Sequence, residues 1–79
     1  MERIKLIWDF KGPNALPIAQ HHVTHLKEFI QVEGLENSFC ETETISSNHC
    51  IAFMVVNKEQ MDSLRERLKP NRGQIFTEE

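Results

Sequence analysis

Between Arg3 and Phe10 the chain alternates, with Ile4, Leu6, Trp8 and Phe10 interleaved with Arg3, Lys5, Ile7 and Asp9. A period of two sends successive side chains to opposite faces, so the segment predicts a strand with one buried and one largely polar face. Lys11-Gly12-Pro13-Asn14 supplies turn chemistry, and the period then changes: Leu16, Ala19, Val23, Leu26 and Ile30 recur at helical spacing. Pro17 suits the first turn of this helix, and Gly34 suits the C-terminal cap of a helix ending near Glu33. A second stripe, Ile18, His22, His25, Phe29 and Val32, flanks the first, so the apolar face is wide and two histidines sit on its margin. Any fold must accommodate this β–α opening.

The remainder narrows the choice. Phe39 to Ile45, with its Glu41-Thr42-Glu43-Thr44 run, predicts an exposed edge strand, and Ser46-Ser47-Asn48 turns the chain. His49 to Val56 is almost wholly apolar, as a central strand covered on both sides would be. Its larger side chains, Ile51, Phe53 and Val55, are expected on the helix-covered face together with His49. Cys50, Ala52, Met54 and Val56 are then expected on the open face. Asn57 and Gln60 form a weak capping box for a second helix through Lys69, with Met61, Leu64 and Leu68 as its core stripe and Pro70 as its stop. Gln74 to Thr77 suffices for a short fourth strand, and Glu78-Glu79 reads as a solvated end. The order βαββαβ predicts an α+β ferredoxin-like plait: one domain over residues 1–79, a four-stranded antiparallel sheet with two helices on one face. The opening Lys-Leu-Ile-Trp-Asp-Phe, the His-His-x-x-His-Leu helix and the closing Lys-Pro-x-Arg-Gly resemble a small uncharacterised bacterial family of this shape. The resemblance implies the fold and no function.

A chain of 79 residues buries only about 60% of the surface its unfolded form exposes, so its own core is small. The net charge of −3 argues against general affinity for nucleic acid or anionic lipid, which needs an excess of Lys and Arg. No apolar run approaches the span of a bilayer, and Met-Glu-Arg-Ile-Lys lacks the apolar region of a secretory signal. A cytoplasmic location is the expectation. Cys40 and Cys50, the only cysteines, predict free thiols; pairing Ser46 with His49 would put Cys40 opposite Val55, too far from Cys50 for a disulfide. His49 and Cys50 are adjacent on a strand and point to opposite faces, which excludes a thiolate–imidazolium pair between them.

Three of the four histidines, His21, His22 and His25, fall within five residues of the first helix. His21 and His25 are four apart and His22 and His25 three apart, so the imidazoles share roughly a third of the helix surface. In the plait, the three loops at residues 11–16, 46–48 and 69–73 gather at one end, with His49 beneath the helix. His22 and His49 become the expected pair of metal ligands, with His25 or His21 as a third. Imidazole suits zinc, nickel, copper or ferrous iron, and three protein ligands with an open position would form a catalytic-type zinc site. No His-Glu-x-x-His is present, which excludes the zinc-peptidase motif.

Lys11, Lys69 and Arg72 at the same end could form a rim for a phosphate or carboxylate near the helix N-terminus, although no P-loop or Gly-x-Gly-x-x-Gly is present. The open sheet face is expected to show no aromatic platform for nucleic acid. It is expected to show an apolar patch of Ile7, Ala52, Met54 and Val56, which a second copy would bury. The sequence therefore predicts a homodimer, associated through the open sheet face, that binds a divalent metal or small ligand through a histidine cluster at one end of the sheet, with a small anionic ligand possible at the basic rim. The alternatives are a dimeric interaction or regulatory module without catalysis, and a small enzyme with His22 or His49 as general acid–base.

Overall fold

A computed structural model describes residues 2–35 and 37–76. In chain order they form β1 (Arg3–Lys11), α1 (Ala15–Glu33), β2 (Phe39–Ser46), β3 (His49–Asn57), a 3-10 turn (Lys58–Gln60), α2 (Met61–Leu68) and β4 (Arg72–Phe76). The strands make one antiparallel sheet in the order β2-β3-β1-β4. The β1-α1-β2 connection therefore crosses over β3. Thr77, expected to end the fourth strand, and the Glu78-Glu79 end lie outside the described residues.

Both helices lie on one face. Ile4, Leu6 and Trp8 of β1 pack with Ala15, Ala19, Val23 and Leu26 of α1 and Leu64 of α2. From β3, the residues in this core are Cys50, Ala52, Met54 and Val56, which overturns the sidedness expected for that strand. Side-chain size was the wrong guide. Helix α1 approaches through two alanines, Ala15 and Ala19, and the residues beneath it can therefore be small.

Ile7, Ile51, Phe53 and Val55 form a separate cluster on the face without helices, joined by Phe76. These residues are 2%, 3%, 8% and 0% exposed. The rings of Phe39 and Phe76, from strands at opposite edges of the sheet, meet edge-on with centroids 5.8 Å apart and arch over the central pair of strands. Arg3 spreads its guanidinium over both rings, at 5.5 and 5.8 Å, and also donates to the Asn37 carbonyl. Lys5 Nζ stands 4.2 Å above the Phe53 ring while pairing with Glu43 at 3.6 Å. Long basic side chains cover apolar surface with their stems while keeping their charges wet. Two expectations fall here: Ala52, Met54 and Val56 are not on this face, and aromatic rings are. The rings turn in on one another under Arg3 and Lys5, so they form a lining rather than a stacking platform.

Local chemistry explains the element ends. Gly34 adopts a left-handed conformation, φ 64°, and donates to the Gln31 carbonyl while Leu35 donates to that of Ile30, which closes α1. The expected cap at Asn57 is not made: its side chain forms no capping bond, and the 3-10 turn intervenes before α2. Trp8 instead ties down the far end of α2, its indole N–H donating to the Leu68 carbonyl at 3.2 Å. On α1, Leu16 is exposed and Ala15 takes the buried place expected for it. An irregularity between Thr44 and Ser46 shifts the β2–β3 register, so Cys40 faces Met54 rather than Val55. Both cysteines are free and buried, and burial pushes the Cys40 thiol pKa up, which keeps it inert.

Candidate functional site

The structure sends the four histidines to three different environments. His21 and His25, one turn apart on α1, are exposed with ring centroids 4.6 Å apart and Nε2 atoms 3.1 Å apart. One imidazole can donate to the other in the absence of a ligand.

His22, between them in sequence, turns towards the sheet. Its ring lies 4.8 Å from that of Trp8 and 5.6 Å from that of Phe10, and its Nε2 is buried without a hydrogen-bond partner. Burial is the largest cause that lowers its pKa below the ordinary 6.5, and charge on His25 and His21 adds to it. The neutral ring is favoured, serving as part of the wall beside Trp8 and Phe10.

His49 lies on the opposite face of the sheet, with Asp9. The β1–β3 register places His49 opposite Lys11 and Ile51 opposite Asp9, so His49 and Asp9 project on the same side. Nε2 of His49 donates to Asp9 Oδ1 at 2.8 Å. Arg72 holds the same carboxylate in two places, Nε to Oδ2 and Nη2 to Oδ1, both at 3.1 Å. Asn71 completes the join: its side-chain oxygen accepts from the Asp9 N–H at 2.9 Å, and its own N–H donates to the Ile7 carbonyl. Hydrogen bonds from Arg72 are the largest cause holding the Asp9 carboxyl below its usual range, with those from His49 next among the lowering causes and burial opposing both. One carboxylate thus links β1, β3 and the start of β4.

The expected His22–His49 pair is therefore divided by the sheet. His21 and His25 meet without either of them. The expected anion rim is divided too. Arg72 is committed to Asp9, Lys69 closes α2 in a left-handed conformation beside a shallow cleft that also contains Asp62 and Glu66, and Lys11 is exposed at the end of β1. The loops do gather at one end, since Gly12 donates to the Asn48 carbonyl at 2.8 Å. Among the described residues, no group of three or more His, Cys, Asp or Glu side chains is arranged to hold a metal.

No family model, curated protein or solved structure matches the chain at a significant level, so its chemistry rests on its own residues. Among those described, no helix is long and apolar enough to cross a membrane. Asp9 is the site residue that sequence reasoning missed. Its signal was the side it shares with Lys11 on β1, which becomes useful only once β3 is given the correct sidedness.

Proposed function

We propose that the chain is a small ferredoxin-like plait that binds a divalent transition metal through His21 and His25. The element order βαββαβ and the strand order β2-β3-β1-β4, with both helices on one face, support the plait. The metal reading is carried by one observation, the 3.1 Å separation of the two Nε2 atoms. With metal–nitrogen bonds of about 2.0–2.1 Å, nitrogens at that spacing subtend roughly 95–100° at a shared ion. That angle lies between the square and tetrahedral values, so zinc, nickel or copper fits the two ring nitrogens with no backbone movement. Both ligating nitrogens must be unprotonated, so acid competes with the metal.

Asp9, His49 and Arg72 serve in this reading as a lock between strands. His49 and Arg72 both donate to the Asp9 carboxylate, so the three groups satisfy one another.

Calorimetric titration of untagged protein with zinc or nickel tests the proposal. We expect saturable binding that His21→Ala and His25→Ala each abolish and that His22→Ala and His49→Ala leave within twofold. Equal loss in the His22 variant, with its fold intact, would return the site to the sequence expectation, and absence of saturable binding to the parent would end the metal reading.

A further inference from the structure

We infer that the metal site is shared between two copies of the chain, with His21 and His25 of each supplying all four ligands of one zinc ion. The inference rests on the two-histidine reading above and adds the partner. A tetrahedral zinc ion takes four ligands. His21 and His25 provide two, and no cluster among the described residues provides a third. A second copy related by a twofold axis brings the same two again, which closes the shell with no other group.

Helix α1 carries a seam suited to this contact. Ile18, His21, His25, Glu28 and Val32 recur at alternating steps of three and four, and all five are exposed. That spacing makes a straight stripe along a helix, the arrangement by which two helices pack side by side. The stripe lies on the side away from the sheet, because Ala15, Ala19, Val23 and Leu26 face the core. Ile18 and Val32, at the two ends of the stripe, are 50% and 82% exposed. When two such helices run antiparallel about an axis at the level of Val23, His21 meets the partner helix at its His25 level and His25 at its His21 level. Ile18 then lies against the aliphatic stem of Glu28 in the other copy. The contact is self-complementary, needs no loop to move, and leaves both sheet faces as they are.

Sedimentation velocity of untagged protein, with and without added zinc, together with calorimetric stoichiometry, tests the shared site. We expect the mass to double on addition of half an equivalent of zinc per chain and to return on addition of chelator. His21→Ala should remain monomeric with zinc present. Ile18→Glu keeps both ligands and disrupts the seam, so it should require at least tenfold more protein to dimerise with zinc. One zinc per chain at unchanged mass would overturn the shared site and leave the two-histidine reading standing. No saturable zinc binding would overturn both. A dimer that forms without zinc, or that persists in His21→Ala, would place the association elsewhere and overturn the inference.

Discussion

The two faces of the sheet bury the apolar side chains of the central strands β1 and β3 by different means. On one, Leu6, Ala52, Met54 and Val56 are roofed by α1 and α2, with Ala15 and Ala19 allowing close approach. On the other, Ile7, Ile51, Phe53 and Val55 are roofed by side chains alone: the meeting rings of Phe39 and Phe76, the guanidinium of Arg3 and the stem of Lys5. A helix roof is rigid, because its backbone hydrogen bonds hold every covering residue at once. A roof of long side chains is held residue by residue, and each basic stem loses rotamer freedom in covering its neighbour. The helix face should therefore fail cooperatively when disturbed, and the open face by degrees.

The most severe test is Met54→Glu. Met54 is fully buried on the helix face, and an unpaired carboxylate there should cost more than about 4 kcal/mol, enough to remove the cooperative transition in urea. Retention of native far-UV circular dichroism and a normal unfolding midpoint would show that Met54 is not buried beneath the helices. On the open face, Phe53→Ala should cost about 3–5 kcal/mol by emptying the space under Lys5. Lys5→Ala should cost only about 0.5–1 kcal/mol, the scale of one exposed cation–π contact and its covering stem, while Lys5→Met should recover part of that loss. A Lys5→Ala penalty as large as that of Phe53→Ala would mean that the basic roof is as rigid as the helical one.

The smallest expected effect concerns acid. His22 belongs to the helix face, and its folded pKa lies below the ordinary 6.5 because burial disfavours its charge. The unfolded chain takes up the proton first as pH falls, so stability is lost from about 6.5 down to the depressed folded value and does not change further below it. His22→Leu removes that titration. Its urea midpoint should decline less than the parent's over this window, and parallel declines would place His22 in water rather than beside Trp8 and Phe10.

Periodicity along the chain was enough to read β1, α1 with its Gly34 cap, and the approximate extents of β2 and β3, because these depend on spacing and on turn residues that act locally; β4 begins at Arg72, inside the stretch read as a loop before Gln74. The i,i+4 relation of His21 and His25 was equally legible, since one helical turn brings such residues together wherever the helix packs. The sidedness of β3 was not. Seven consecutive buried residues, Cys50–Val56, carry no alternation, so which of them meet α1 depends on how closely that helix can approach. The two small alanines settle that question only in three dimensions. From that one choice followed the separation of His49 from His22, the union of His49 with Asp9 and Arg72, and the basic roof over Phe53. Each joins residues distant in sequence across neighbouring strands, where a one-residue change of register exchanges the two faces. Local spacing along a single helix or strand is written in the order of residues, whereas contacts between elements are selected by packing, and packing placed the four histidines of this chain in three environments.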